Sequence, residues 1–359
     1  MILKSFKYSM VGWSLDTLTV GKTNLMVGKN STGKTRAIIA LSRTLRIISQ
    51  AAEIENDDNF AAKLVFEDNG SEITLYLKIS ERVIQNEILI IDGEEIIKRD
   101  TKTTFLRGEV ANPPANLLLL HVRRDVNEFP EAENIINWAS RAIGRSFIET
   151  DTPNDEQLCE LVESFSDAMR RNVVSMANEV GFPITEVNTF RNTLRSALKK
   201  GAKVPNGLEK MQFLVFKEKN VQPYLAYSEL SEGMRRTILL LIFIEHFVNN
   251  SEGAFLAIDD LGEGLDYTRA TKVGRLLFDT CREHGIQLVA ASNEEFMMNI
   301  VDIDCWNILV RHGQTVKSFT KDDAPKLFEE FRFSGLDNFD FFTSDRLNRA
   351  LEAHFGDNE

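Results

Sequence analysis

Residues 28–35 have the types and spacing of a phosphate-binding loop. The segment reads Gly-Lys-Asn-Ser-Thr-Gly-Lys-Thr and fits the pattern G-x-x-x-x-G-K-[ST]. Glycines let the backbone curl until successive N–H groups point at an anion, the lysine reaches the β- and γ-phosphates, and the last hydroxyl completes a Mg²⁺ shell. The alternative is a glycine-rich turn that caps a helix. The residues expected to bind nucleotide are Gly28, Lys29, Asn30, Ser31, Thr32, Gly33, Lys34, Thr35 and Arg36.

An acidic pair follows a second apolar run. The run 255–258 leads directly into Asp259 and Asp260. In a phosphate-loop nucleotidase the first carboxylate holds Mg²⁺, and the second orients or deprotonates the attacking water. We therefore expect Thr35 and Asp259 as metal ligands, and Asp260 and Lys34 as catalytic residues. Acidic residues commonly end strands, so this pair is informative only together with the loop.

The hydrophobic period predicts the elements that position these residues. Predicted strands at 2–8, 13–20 and 24–27 precede the loop, and a predicted helix at 35–49 follows it. Asn69-Gly70 and Asp92-Gly93 are typical of tight hairpin turns, so about 60–110 is expected to be an antiparallel lobe. Tyr8 or Trp13 could stack on adenine, and packing within the strands is the alternative.

The rest of the chain alternates between helical and strand patterns. An apolar strand is predicted at 117–122, and helices are predicted at 131–143, 154–180 and 186–200. Strands are then predicted at 211–218, 223–227, 254–258, 286–291 and 304–311, with helices at 232–249, 266–284 and 294–301. This later alternation is typical of a parallel sheet. No heptad run is long enough for a coiled-coil arm.

Composition limits the classes of protein and partner. The chain has 359 residues, of which 43% are hydrophobic and 27% charged, as in soluble globular proteins. The longest apolar run, 238–244, is too short to cross a bilayer, and the N-terminus lacks a secretory h-region. Three widely spaced cysteines fit reduced thiols in a cytosolic protein. We expect a cytoplasmic location without membrane contact.

The net charge of −12 does not support general DNA binding, because that affinity comes from Lys and Arg neutralising phosphates. A local basic patch remains open, and solvated surface is the alternative reading. The paired cations are Arg123-Arg124, Arg170-Arg171, Lys199-Lys200 and Arg235-Arg236. The five histidines show no metal-ligand spacing.

Two further segments complete a recognisable order of motifs. Leu230-Ser-Glu-Gly-Met234 begins a predicted helix, and Leu265-Asp266 follows the acidic pair. With the phosphate loop, they make residues 1–311 resemble the ABC-type ATPases of the SMC/RecF/OLD-like branch, a group of AAA-family ATP-binding proteins. The resemblance implies an α/β P-loop NTPase of ABC-ATPase type. It would have a mixed central sheet, an antiparallel β lobe and a helical insertion that lacks a long coiled coil.

The resemblance also implies how the chain is divided. Residues 1–122 would form the N-terminal part of the ATPase lobe, 123–210 the helical insertion, and 211–359 the C-terminal part of that lobe.

The resemblance implies a nucleotide site shared between two subunits. Leu230–Met234 corresponds to the L-S-G-G-Q-type segment, which binds the γ-phosphate of ATP held by another subunit. Ser231 and Gly233 would supply the hydroxyl and the N–H groups, although a plain helix cap is the alternative for Ser231. Asp259 resembles the magnesium aspartate, and Leu265-Asp266 resembles the D-loop.

Three departures from the family pattern predict slow hydrolysis. Asp260 stands where the family usually has glutamate, with Glu263 a weaker substitute. Asn293 stands at the switch-histidine position, where it can hydrogen-bond phosphate or water but cannot shuttle a proton. No Q-loop glutamine is evident. Arg123 and Arg124 are the best-placed candidates, and a surface pair is the alternative.

The expected function is that of an ATP- and Mg²⁺-dependent switch that assembles with itself around ATP. It would control a separate effector, such as a nuclease or toxin, in antiphage defence or DNA repair. The alternatives are a RecF-like DNA-binding repair ATPase, a scaffold that binds ATP without hydrolysing it, and a transporter cassette. The phenylalanine-rich stretch 328–342 would either anchor a partner or pack as a layer on the sheet.

Overall fold

The computed structural model describes residues 1–100, 104–106, 109–110, 113–122, 127, 130–145, 155–191, 212–221, 224–250 and 254–355. The strands are β1 Ile2–Met10, β2 Trp13–Thr19, β3 Thr23–Val27, β4 Phe60–Asp68, β5 Ser71–Ser80, β6 Val83–Ile91, β7 Glu94–Arg99, β8 Thr104–Leu106, β9 Glu109–Val110, β10 Ala142–Arg145, β11 Ile184–Arg191, β12 Gln212–Glu218, β13 Leu225–Ala226, β14 Phe255–Ile258, β15 Gln287–Ala291, β16 Trp306–His312 and β17 Thr315–Phe319. The helices are α1 Lys34–Ile48, α2 Leu119–Val122, α3 Pro130–Ser140, α4 Asp155–Glu163, α5 Asp167–Glu179, α6 Glu232–Asn250, α7 Tyr267–Glu283, α8 Glu295–Ile300, α9 Pro325–Arg332, α10 Asn338–Thr343 and α11 Asp345–Phe355.

The chain divides into two compact units. The first comprises 1–146, 252–261 and 281–359, and the second comprises 147–251 and 262–280. The phosphate loop and the acidic pair belong to the first unit. The Leu230–Met234 and Leu265-Asp266 segments belong to the second.

A mixed sheet organises the first unit. Its order is β10-β14-β15-β3-β16-β17-β2-β1-β4-β5-β6-β7-β8-β9. The run β10-β14-β15-β3-β16 is parallel, and every residue of β3, β14 and β15 is buried. Strands covered on both faces are mainly apolar, as in Leu25–Val27 of β3, in all of β14 and in Leu288–Ala291 of β15. The predicted mixed α/β sheet is confirmed.

The antiparallel lobe continues the same sheet through β4–β9. Asn69 and Gly70 both have positive φ, at 51° and 89°, and Asp92 and Gly93 repeat this at 49° and 86°. Two consecutive positive φ angles are typical of the type I′ turn, whose twist matches that of the flanking strands. The two dipeptides thus close the hairpins at the predicted places.

A buried glutamine joins the two halves of the central sheet. Gln287, at the start of β15, accepts a 2.9 Å hydrogen bond from Leu3 N–H through Oε1. Its Nε2 donates to Leu3 O at 2.7 Å and to Gly21 O at 2.9 Å. All the polar atoms of this buried amide are used, so it fixes β15 against the N-terminal strands.

Helices and a small antiparallel sheet, β11-β12-β13, form the second unit. Helix α6 is apolar through residues 238–244, where every side chain is buried. A helix that is apolar on all sides is one covered on all sides. It is the longest helix in the described residues, with 19 residues, and no long coiled coil is present there.

Four predicted elements differ from those observed. The apolar run 117–122 forms the short helix α2 instead of a strand, because the Glu87 carboxylate accepts N–H bonds from Leu119 at 2.7 Å and Leu120 at 3.0 Å. The predicted helix 186–200 begins as the strand β11, paired with β12, and its remainder lies outside the described residues.

The other two differences concern helix ends. The predicted helix 131–143 stops at Ser140, because Ala142–Arg145 pairs with β14 as a parallel strand. The predicted helix 154–180 divides into α4 and α5, because the Ser166 side chain accepts the Met169 N–H and caps a new helix.

Several phenylalanines of the C-terminal stretch 328–342 pack against one another. Phe328, Phe331 and Phe341 are buried, with ring centroids 5.3 and 4.4 Å from Phe341 to the other two. Phe333 is the exception, 84% exposed. A packed layer therefore accounts for these rings apart from Phe333. In the described part of the chain, no helix is both long and apolar enough to cross a membrane.

Candidate functional site

The predicted loop and acidic pair meet at the carboxyl ends of three parallel strands. Ile258 pairs with Ala290 and Ala291 pairs with Met26, so β14, β15 and β3 end at the same edge. The Leu261 N–H donates to Ala291 O at 2.9 Å, which fixes the turn after β14. Ligands of open parallel sheets bind at this edge.

The phosphate loop depends on its two glycines. Gly33 has φ 106°, and a Cβ there would lie 3.1 Å from the Val316 side chain and 3.2 Å from Trp13 Nε1. A Cβ on Gly28 would lie 2.8 Å from both Leu309 O and Thr32 Oγ1. The close approach of β16 and the turn into α1 therefore both require glycine.

Lys34 is folded back into its own loop. Its Nζ donates to Gly28 O at 2.8 Å and to Lys29 O at 3.4 Å, and the side chain is buried. Burial lowers the pKa of this ammonium, while the charges of Asp260 and Asp259 act in the opposite direction. A cation held in the middle of the loop is placed to bind an anion within it.

Asp259 is a buried carboxylate without a hydrogen-bond partner. It is 0% exposed, and neither Oδ1 nor Oδ2 has a partner. Burial raises its pKa, and the charge of Asp260 also raises it, whereas the Thr35 hydroxyl, the Asp260 backbone N–H and the charge of Lys34 lower it. Buried polar groups are normally paired, so this orphan requires an explanation. A cation shared with the Thr35 hydroxyl fits both groups, since both are oxygen ligands of the kind that Mg²⁺ prefers.

The two residues that depart from the family pattern lie at the same edge. Asp260 has φ 48°, a left-handed conformation that aspartate tolerates, and it turns the chain sharply after β14. Asn293 follows β15 and donates from Nδ2 to Asn30 Oδ1 at 2.9 Å. Asn30 was expected only as a loop residue, so this contact between switch position and loop was not foreseen.

The second unit contains Ser231, the candidate phosphate-binding serine at the start of α6. Ser231 immediately precedes this helix and is exposed, and its backbone carbonyl accepts the Arg235 N–H at 2.8 Å. In the described residues its hydroxyl has no hydrogen-bond partner. Ser166 is a useful contrast, since its hydroxyl does cap α5. Ser231 thus occupies the N-cap position of α6, but in the described residues its hydroxyl does not cap the helix.

Gly233 allows the segment that contains Leu265-Asp266 to pack directly on α6. A Cβ on Gly233 would lie 2.3 Å from Gly264 O and 2.9 Å from a Leu265 methyl group. The two backbones thus touch, and no residue except glycine fits. Asp266 itself caps α7, accepting the Arg269 N–H at 3.0 Å.

An ion-pair bridge that was not predicted reinforces this packing. Arg236 donates to Glu232 at 2.7 Å and to Glu263 at 2.5 Å. Glu232 occupies a small-residue position of the L-S-G-G-Q-type segment, so the bridge depends on that departure. The structure thus places Glu263 in an ion pair with Arg236.

Other predicted candidates lie elsewhere. Arg123 and Arg124 are outside the described residues. Tyr8 and Trp13 are buried at 7% and 2% exposure, so neither ring is available to stack on adenine, and the packing alternative is the one observed. In the described part of the chain, no group of three or more His, Cys, Asp or Glu side chains could hold a metal.

A family model described as "AAA domain, putative AbiEii toxin, Type IV TA system" matches residues 23–292. The chain belongs to this family. The match runs from β3 to the residue before Asn293, so it includes the loop, the Ser231 segment and the acidic pair. No curated protein matches the chain.

Solved structures confirm the fold. The chain is similar to an Smc head bound to the C-terminal winged-helix domain of ScpA, with a TM-score of 0.56, 11% identity, and 91% and 100% of the two chains covered. It is also similar to an Smc head with an extended coiled coil bound to the C-terminal domain of ScpA derived from Pyrococcus furiosus. That match has a TM-score of 0.52, 9% identity, and 92% and 99% coverage. The SMC-like ABC-type ATPase fold expected from the sequence is confirmed.

Proposed function

We propose that this chain is a slow, Mg²⁺-dependent ATPase whose sites form between two copies. The observation that carries the proposal is the unpartnered, buried carboxylate of Asp259 beside Thr35 and Lys34. Asp259 and Thr35 would hold Mg²⁺, which supplies positive charge to the β- and γ-phosphates when bound. Lys34 would exchange its bonds to loop carbonyls for bonds to those phosphates.

Asp260 and Asn293 support attack by water on the γ-phosphate. Asp260 would accept a hydrogen bond from that water, and its turned backbone holds it at the sheet edge beside Asp259. Asn293 would orient the water or the γ-phosphate from its place beside Asn30. Because an amide cannot accept and return a proton, turnover is expected to be slow, well below the general enzyme median of about 10 s⁻¹.

The free hydroxyl of Ser231 supports a site completed by another copy. A hydroxyl and backbone N–H groups at the start of a 19-residue helix are suited to bind phosphate. The phosphate loop in the first unit already encloses its own anion site. We assign the Ser231 segment to the nucleotide of a second copy, so that ATP holds two chains together and hydrolysis releases them.

Mixing two inactive variants tests this arrangement. In Lys34→Ala and Ser231→Arg homodimers every site lacks one component, so each variant alone should be inactive. In the mixed dimer one site regains both, so an equal mixture should recover about a quarter of wild-type phosphate release, assuming random pairing in C2 dimers.

Ser166→Arg is the matched control, because it alters a true helix cap in the same unit. Its mixture with Lys34→Ala should release no more phosphate than the same amount of Ser166→Arg alone. Absence of recovery in the mixture, when the single variants still bind or associate normally, would show that the site is not shared.

The switch would act on a separate effector in antiphage defence or DNA repair. The family description names a toxin–antitoxin system, and the two similar heads are bound to parts of another protein, ScpA. Both support a partner on another chain. Co-purification from the native host with Asp260→Asn, in ATP against ADP, should enrich the partner only with ATP.

A further inference from the structure

Arg36 is a cation in an electrostatically unfavourable place. It lies in the first turn of α1, where the helix N-terminus is already positive, and that turn contains no acidic residue. The side chain is exposed, and in the described residues it has no hydrogen-bond or ion-pair partner. Elsewhere on α1, Arg43 is paired with Asp58 at 2.5 Å. In the described residues Arg36 therefore contributes neither an ion pair nor a hydrogen bond to the fold.

Among the described residues, Arg36 contacts an aromatic face. Its guanidinium carbon lies 6.0 Å from the centre of the Trp13 ring. Trp13 cannot turn outward, because the indole is buried and its edge packs against Gly33 of the loop. The indole thus supports a guanidinium group whose residue is exposed to solvent.

Exposed apolar side chains accompany this pair. Met10 is the cross-strand partner of Trp13, and it is 45% exposed. Val11 follows in the turn between β1 and β2 and is 89% exposed. Ile39 stands one turn beyond Arg36 on α1 and is half exposed. A planar cation with exposed apolar side chains around it suits a flat aromatic ligand, because a ring can stack on the guanidinium and also cover the apolar groups.

We propose that the Arg36 guanidinium, supported by Trp13, is the surface on which the purine base of the bound nucleotide stacks. The inference rests on the proposed ATP site and adds its base-binding part. Arginine planes stack on bases in nucleic-acid complexes through the same dispersion and cation–π attraction. The buried aromatic ring thereby acts on the base through the arginine.

Titration calorimetry with two ligands tests the proposal. Mg·ATP carries a base, and magnesium tripolyphosphate carries the same phosphates without one. Arg36→Ala should weaken ATP binding about 5- to 30-fold and change tripolyphosphate binding less than about twofold. Arg36→Lys should resemble Arg36→Ala, because lysine keeps the charge and loses the plane. Wild type should prefer ATP to CTP, and the preference should shrink in Arg36→Ala.

Each other outcome has a distinct meaning. Equal weakening of both ligands by Arg36→Ala, with rescue by Arg36→Lys, would assign Arg36 to the phosphates and overturn the proposal, as would unchanged ATP binding. Arg275→Ala removes another exposed arginine and should change neither ligand. If Lys34→Ala binds both ligands as wild type does, the ATP site itself is misplaced, and the proposed function fails instead.

Discussion

Replacing Asp259 by asparagine should stabilise the free protein and abolish its response to Mg·ATP. The carboxylate is fully buried, and both its oxygens lack partners, so ionisation there opposes folding. An unsatisfied buried polar group costs about 1–3 kcal/mol, and more when charged. Asparagine keeps the shape and removes the charge, but Lys34 loses one of two nearby anions, which offsets part of the gain. We expect a net gain of about 1–2 kcal/mol in the free energy of unfolding.

Thermal unfolding with and without nucleotide measures both effects. A gain of this size should raise the Tm of the nucleotide-free variant by about 1–3 °C. Mg·ATP at about 100 times its Kd should stabilise wild type by about 2.7 kcal/mol and the variant far less. A variant that is less stable without ligand, or that gains as much from Mg·ATP as wild type, would refute the assignment of Asp259 as an unpaired metal ligand.

The pH dependence provides an independent measurement of the same charge. The pKa of Asp259 is raised in the folded state, so the native protein binds more protons than the unfolded chain. The contribution of the Asp259 carboxyl group to stability is therefore lost as pH rises above 3.8, the ordinary pKa of an aspartate side chain. The stability difference between Asp259→Asn and wild type should grow over that range. A stability difference that does not change with pH would mean that groups other than a bound cation already balance the charge of the Asp259 carboxylate.

Three further changes can be tested together by unfolding and phosphate release. Gly233→Ala should destabilise by about 2 kcal/mol or more and prevent ATP-dependent association, because its Cβ would collide with Gly264 O. Asn293→Ala should reduce hydrolysis about tenfold or more with little change in ATP affinity, because it removes the bond to Asn30 but no phosphate-loop group. A loss of ATP affinity as large as the loss of hydrolysis would contradict this. Burial raises the pKa of Glu87 to about 7, so wild-type stability should fall as pH rises from 4.5 to 7, and Glu87→Gln should flatten that slope.

The candidate site rests on local motifs, whereas several elements around it depend on contacts between distant residues. The loop and the acidic pair are local motifs, and each follows a mainly apolar run that fits an interior strand, so parallel-sheet geometry predicts that they lie at the same edge. The hairpin dipeptides also fix their turns locally. The free hydroxyl of Ser231 was not predictable, because a serine before a helix ordinarily caps it.

The errors arose where a long-range contact overrode local pattern. Leu118–Leu120 is an apolar run that fits a strand, yet Glu87, more than thirty residues earlier, binds two of its N–H groups and starts a helix. Helix α3 stops because the residues that follow it pair with β14 as a parallel strand. Likewise the Arg236 bridge needs two glutamates that are adjacent only after folding. Periodicity carries no information on such partners.

The neighbours of β3 determine when during synthesis this protein can first bind nucleotide. The strand that leads into the phosphate loop lies between β15 and β16, both made more than 260 residues later. Gln287, which ties β15 to the N-terminal strands, is equally late. A nascent chain that stops before residue 287 thus contains the loop without the two strands that flank β3. In the proposed arrangement, nucleotide-dependent pairing would therefore begin only after β15 and β16 have been synthesised.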